Sequence, residues 1–184
     1  VLNNKNILIT GGTGSFGYQI LKELLDYKPK SIRIFSRDED KQNTMKQKIQ
    51  NQKNSKITKF IIGDVRDYDS LFTACKDVDI IFHAAALKQV PTVGIYPYEA
   101  IKTNIIGAHN LVKAAIARNV KHVIAISTDK AVKPVNAMGM TKALQEKIFR
   151  SDQYEDSKTI ICSVRYGNVL GSRGSVIPLW DRKI

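Results

Sequence analysis

Nowhere does the chain of 184 residues carry a run of about 18 apolar residues, the length a bilayer-spanning helix needs. Its opening, Val1-Leu2-Asn3-Asn4-Lys5, passes directly into a short strand-like run and does not read as a signal peptide, so the expected location is the cytoplasm. Cysteine is scarce. The two present, Cys75 and Cys162, each lie inside an apolar run, which argues against a disulfide framework or a metal site and for small buried side chains. Acidic residues are outnumbered, 17 against 29 Lys and Arg, for a net charge of +12. The lysines concentrate between Lys41 and Lys59 with little aromatic interleaving, which excludes a base-stacking platform for nucleic acid and fits a solvated helix and loop.

What is present is enough for one core, since 43% of the side chains are hydrophobic. Continuous β-branched runs occur at Ile7-Leu8-Ile9, Ile32-Arg33-Ile34-Phe35, Phe60-Ile61-Ile62, Ile80-Ile81-Phe82, Val123-Ile124-Ala125-Ile126 and Ile160-Ile161-Cys162-Ser163-Val164. Such short runs suit parallel strands buried on both faces. Between them lie helical patterns: Ile20, Leu21, Leu24 and Leu25; Leu71 with Cys75; and, after Pro97, Ile101, Ile105, Ala108, Leu111, Val112, Ala115 and Ile116. The alternation predicts an α/β fold with a doubly wound parallel sheet.

The first strand runs straight into Thr10-Gly11-Gly12-Thr13-Gly14-Ser15-Phe16-Gly17 and then a helix. Glycines at 11, 14 and 17 permit a tight turn, close approach to a pyrophosphate and close packing of helix on strand, while free amides at the helix start face negative charge. Together with the strands that follow, this predicts dinucleotide binding by Gly11, Thr13, Gly14, Ser15, Phe16 and Gly17. At the end of the second strand, where an acid would accept the ribose hydroxyls, the chain reads Ser36-Arg37-Asp38-Glu39. A hydroxyl and a guanidinium there favour NADP over NAD. Asp64 and Val65 after the third strand would meet the adenine, and Ala84, Ala85 and Ala86 after the fourth would let the cofactor lie against the backbone. His83, just before them, reads as a packed residue outside the chemistry.

These residues carry a resemblance. The spaced glycines, Asp64-Val65, Ser127-Thr128-Asp129-Lys130 and Lys142 resemble the extended short-chain dehydrogenase/reductases that act on nucleotide sugars, a Rossmann-type fold. More narrowly, Ser36-Arg37-Asp38-Glu39, His83-Ala84-Ala85-Ala86-Leu87-Lys88, Ser127-Thr128-Asp129-Lys130-Ala131 and Arg165-Tyr166-Gly167-Asn168-Val169 are similar to the inverting UDP-N-acetylglucosamine 4,6-dehydratases. Met138 stands four residues before Lys142, where most members carry a tyrosine. In this it resembles the capsule and O-antigen subgroup that begins the route to N-acetyl-L-fucosamine. The chain starts without methionine and stops at Trp180-Asp181-Arg182-Lys183-Ile184 soon after a glycine-rich loop, so it reads as an amino-terminal fragment. Residues 1–184 are taken as the cofactor domain, with the nucleotide-sugar-binding part starting at about residue 165.

The resemblance implies oxidation of the sugar at carbon 4 with NADP, loss of the carbon 5 proton to a base, departure of the carbon 6 hydroxyl with an acid, and return of the hydride to carbon 6 with inversion at carbon 5. Lys130 would be the base, Asp129 the acid, and Thr128 would hold a sugar hydroxyl. Such a base must be a neutral amine when it takes the proton, which desolvation under the substrate and nearby positive charge would favour. Lys142 would bond the nicotinamide ribose, and Met138, with no proton to exchange, would fill space beside the sugar or serve structure alone. Lys88, Asn168 and Arg173 would contact the UDP-sugar, and Tyr166 and Val169 would border the nicotinamide. A homo-oligomer is expected. An epimerase of the same fold and a non-catalytic nucleotide-binding module are the competing functions.

Overall fold

The computed structural model describes residues 1–155 and 157–170. Six strands, β1 (Asn6–Thr10), β2 (Ser31–Ser36), β3 (Thr58–Ile62), β4 (Ile80–His83), β5 (His122–Thr128) and β6 (Ile160–Tyr166), make one sheet in the order β3-β2-β1-β4-β5-β6. All pairings are parallel. Each strand contains one of the apolar runs seen in the sequence. The chain reverses its direction of travel across the sheet between β1 and β4, and in open sheets of this kind ligands bind in the crevice beyond the carboxyl ends of the strands at such a switch point.

Successive side chains point to opposite faces, and in β1 both faces are covered. Leu8 joins Phe35, Ile81 and Val123 under helices α3 (Tyr68–Ala74) and α6 (Gly107–Ala117). Ile7 and Ile9 join Ile32 and Ile34 under α1 (Ser15–Asp26) and α2 (Glu39–Ile49). Two-sided burial is why these strands read as continuous rather than alternating apolar runs. Helix α2 accounts for much of the lysine-rich stretch. Asp38 caps it by accepting from the Lys41 amide, and Gln42, Met45 and Ile49 make its buried stripe while its lysines face solvent.

The long helical pattern after Pro97 is interrupted. Beyond the short helix α4 (Val90–Ile95), the chain forms α5 (Pro97–Ala100), a π-helical segment Ile101–Ile106, and then α6. A π segment widens each turn, which rotates the buried face. Thr103 and Asn104 become buried there, whereas Ile101 and Ile106 face outward, so the apolar spacing misplaces Ile101. A second correction concerns Cys162. Cys75 is fully buried and burial pushes its thiol up to about 12, but Cys162 is exposed. Helix α7 (Ala137–Phe149) packs on one face of β5 and β6. Cys162, with Ile160 and Val164, lies on the opposite face, which no helix among the described residues covers.

Candidate active site

The glycine loop sits at the crevice. Gly11 has φ +65°, and a side chain there would place Cβ 2.6 Å from the amide nitrogen of Ala85, so the loop after β1 and the Ala84-Ala85-Ala86 segment after β4 are in backbone contact. Only glycine permits both the conformation and that approach. Helix α1 begins at Gly14 with no side-chain cap and no acid in its first turn. Its amino terminus, flanked by Thr13, Ser15, Phe16 and Gly17, thus keeps the amide array and positive dipole end that fit a pyrophosphate.

The end of β2 is more constrained than its sequence suggests. Ser36 is buried, and Gln42 Nε2 donates to its hydroxyl and to its carbonyl, both at 3.0 Å. Arg37 stays half in solvent with Nη1 3.6 Å from Asp64 Oδ2. Asp64 also receives Arg66 through its backbone amide and its guanidinium, and Arg66 bonds Glu99 at 3.0 Å. Burial works against the Asp64 charge, yet the Arg66 hydrogen bonds and the Arg66 and Arg37 charges hold its carboxyl below the usual range. Val65 is core, packed under α6 rather than open to a ligand. Arg37, Arg66, Asp64 and Glu99 thus form an ion-pair network just beyond the carboxyl ends of β2 and β3.

At the carboxyl end of β5 the chain turns through a short 3-10 segment, Asp129–Ala131. Thr128 Oγ1 donates to Asp129 Oδ1 at 2.9 Å and accepts from the Lys130 amide at 3.3 Å. Lys130 Nζ donates to Asp129 Oδ1 at 3.1 Å and to Asn168 Oδ1 at 2.9 Å. The hydrogen bond from Thr128, with that from Lys130, holds the Asp129 carboxyl below its usual range. The turn is braced from behind, because a Cβ on Gly139 would lie 2.5 Å from the Lys130 carbonyl oxygen. Asn136 caps α7 by accepting from the Gly139 amide at 2.9 Å. Thr128, Asp129, Lys130 and Asn168 are thus linked by hydrogen bonds beyond the carboxyl ends of β5 and β6. Tyr166 ends β6 and Val169 follows it, both exposed, and Lys88 is exposed in the loop after β4. Arg173 lies outside the described residues.

Met138 and Lys142, one turn apart on α7, part company. Met138 is 5% exposed and packs with Val93 and Ala100 beside Leu87 and Ala137, an apolar cluster between α4, α5 and α7. Lys142 is equally buried and donates to the Ile126 carbonyl at 2.6 Å and to Gln145 Oε1. Burial, opposed by the Glu146 charge, lowers it to about 8. His83 is fully buried, bonded through Nδ1 to Thr10 Oγ1 at 2.7 Å and edge-on to Phe149. Burial and the Lys142 charge push His83 down to about 3.

Three polar residues missed in the sequence organise these parts. Gln42 ties β2 to β3 by donating also to the Ile61 carbonyl at 2.8 Å. Asn104, on the π segment, accepts from the Leu87 amide at 2.8 Å and donates to the Leu87 carbonyl at 2.9 Å and to Thr141 Oγ1 at 3.0 Å. Glu146 accepts from Ser127 and Arg165. Each is a polar residue on a helix three or four positions from buried ones, the one signal that could have marked it.

The sheet order and a glycine loop feeding an uncapped helix at the switch point define a Rossmann-type dinucleotide fold. Residues 7–184 match the polysaccharide biosynthesis protein family, and the chain belongs to that family of extended short-chain dehydrogenase/reductases. It is 54% identical over 187 aligned residues to a UDP-glucose 4-epimerase of Rickettsia bellii (strain OSU 85-389), covering 98% of this chain and 54% of that protein. Among solved structures it is similar to Pen from Bacillus thuringiensis, with a TM-score of 0.95, 43% identity, and coverage of 100% of this chain and 56% of that one. It is also similar to a UDP-N-acetylglucosamine 4-epimerase from Methanobrevibacter ruminantium M1 in complex with UDP-N-acetylmuramic acid, with a TM-score of 0.78, 28% identity, and 94% and 58% coverage. The chain spans about half the length of the curated relatives it matches. No helix among the described residues is long and apolar enough to cross a membrane.

Proposed function

We propose that these residues are the amino-terminal, cofactor-binding part of an NADP-dependent enzyme. It removes water from UDP-N-acetylglucosamine across carbons 5 and 6 and inverts carbon 5, early in the making of a surface-polysaccharide sugar. The observation that carries this reading is Lys130 held between Asp129 and Asn168 while Met138 is packed away in an apolar cluster. An amine and a carboxylate side by side supply the two groups that elimination needs as base and acid, and the side chain at the usual tyrosine position has no proton to offer.

A nicotinamide dinucleotide held there would supply reversible hydride transfer between carbon 4 and carbon 6. Everything else falls to the chain. The amino terminus of α1 would hold the pyrophosphate, and Arg37, with Arg66 behind it, would face the charge of a 2′-phosphate. Lys142, seated beneath β5 against the Ile126 carbonyl, would hold the nicotinamide ribose. Asp129, ionised beside Thr128 and Lys130, accepts the proton of the carbon 4 hydroxyl as that carbon is oxidised, and then gives it to the departing carbon 6 hydroxyl, which leaves as water. Lys130, having first given its own proton to solvent, takes the carbon 5 proton, made acidic by the adjacent ketone, and water supplies a proton on the opposite face while Lys130 releases the one it took to solvent. One carboxyl thus serves as base and then acid, which makes a tyrosine unnecessary. Asn168 orients the Lys130 amine, and Lys88 reaches the UDP-sugar.

Incubating the full-length protein with NADP+ and UDP-N-acetylglucosamine in deuterated water tests this by NMR. The expected product has a methyl group at carbon 6 and deuterium at carbon 5. Lys130→Ala should lose turnover by about 10²–10⁴-fold, the range for one general acid or base, without losing cofactor. A Lys130→Ala variant as fast as the parent defeats the mechanism. The names of the relatives favour a second reading, epimerisation at carbon 4. That reaction leaves no methyl group and no deuterium at carbon 5, and it gives the Asp129-Lys130 pair no carbon 5 proton to take.

A further inference from the structure

Glu146 is the one carboxylate buried among the described residues, 3% exposed on α7 one turn beyond Lys142. Its Oε1 accepts from Ser127 Oγ at 2.5 Å and from Arg165 Nε at 2.9 Å, its Oε2 accepts from Arg165 Nη2 at 2.6 Å, and Arg150 Nη2 stands 3.6 Å away. Ser127 and Arg165 are register partners across β5 and β6. Each leads into half of the site: Ser127 into Thr128-Asp129-Lys130, Arg165 into Tyr166 and Asn168. Stability alone is a weak reason for such an arrangement, because a buried ion pair returns about what its desolvation costs. What it does supply is geometry. The planar fork of Arg165 and the hydroxyl of Ser127 fix both strand ends against one carboxylate and against α7.

The same carboxylate bears on Lys142. That amine is faced by Glu146 from its own helix, by His83 from β4 and by the Ile126 carbonyl from β5. Glu146 itself is faced by Arg165 from β6, Ser127 from β5 and Arg150 from just beyond α7. Its charge opposes the burial that otherwise favours a neutral Lys142.

We propose that Glu146 is a positioning residue: it sets the ends of β5 and β6 so that Lys130 meets Asn168, and it keeps Lys142 seated as a cation beneath β5. The assay of this role rests on the turnover proposed above, and the test separates the two.

In the full-length protein, Glu146→Gln keeps the shape and removes the charge. It is expected to keep its circular dichroism and to bind NADP+ within threefold of the parent, while kcat falls at least tenfold and KM changes less than threefold. In the Asn168→Ala background the same change should cost at least threefold less than in the parent, since one of the two things it sets is already gone; a merely structural effect would be additive. The pH midpoint for acylation of Lys142, read by peptide mass spectrometry, should move to lower pH, and this needs no turnover. Additive losses in the cycle, or a parent-like Lys142 midpoint in folded Glu146→Gln, overturn the proposal. Should Glu146→Gln fail to fold, Ser127→Ala, which removes one donor and no charge, gives the same cycle. If the parent yields a carbon 4 epimer, the dehydration reading fails while the cycle, run on that product, still decides the role of Glu146.

Discussion

At the scale of the residue, burial changes what a side chain is for. Read along the chain, Met138 stands where most members carry a tyrosine; packed among Val93 and Ala100 it is a core residue. His83 ends β4 beside the proposed cofactor position, yet it is sealed and neutral. Its folded value of about 3 lies below the value of ~6.5 for a free imidazole, so below pH ~6.5 the unfolded chain binds a proton that the folded chain refuses. Its contribution to stability is therefore whole above pH ~6.5 and is lost as the pH falls toward 3, roughly 2 kcal/mol of it by pH 5. Urea unfolding of the parent and of His83→Gln at pH 7.5, 6.5 and 5 checks this, and the variant should show the shallower acid loss. Arg37 carries a second prediction. NADP+ at about a hundredfold over its Kd should stabilise the protein by about 2.7 kcal/mol, and the same concentration of NAD+ by less. Arg37→Ala should erase the difference in thermal unfolding scans, and equal stabilisation of the parent by both cofactors would refute the cofactor assignment.

At the scale of the element, the π segment shows how a polar residue enters a core. Regular α-helical spacing from Ile101 onward marks a continuous apolar face; the widened turn instead buries Asn104. There it satisfies both backbone groups of Leu87 and bonds Thr141, tying the loop after β4 to α7. Replacing it with a leucine of similar volume strands the Leu87 amide. Asn104→Leu should cost about 1–3 kcal/mol, the desolvation of a buried group left without a partner. Chemical denaturation measures that loss, and faster hydrogen exchange at the Leu87 amide would localise it. Unchanged exchange there would mean that the loop is held by other contacts.

At the scale of the whole molecule, the π segment and α7 pack side by side and leave Ile101, Ile106, Met140 and Leu144 exposed. Apolar side chains left open on adjoining helices support the proposed homo-oligomer. Sedimentation of the full-length protein should give a dimer or larger species, and Leu144→Glu should shift it toward the monomer; a monomeric parent would end that proposal. The strands and the glycine loop could be read directly from the chain, because each depends on local spacing: β-branched runs buried on both faces, and glycines where the backbone turns against a phosphate. Asp129, Lys130 and Asn168 were legible only through resemblance, since their meeting joins two strands 38 residues apart. Glu146, Gln42 and Asn104 were not legible, and neither was the exposure of Cys162. A polar side chain earns its place inside a protein from partners that folding brings to it. The amino-acid order by itself determined the sheet, its order of elements and the cofactor loop. Only the tertiary structure decided which polar groups were buried, because their burial is stable only once distant donors and acceptors have met.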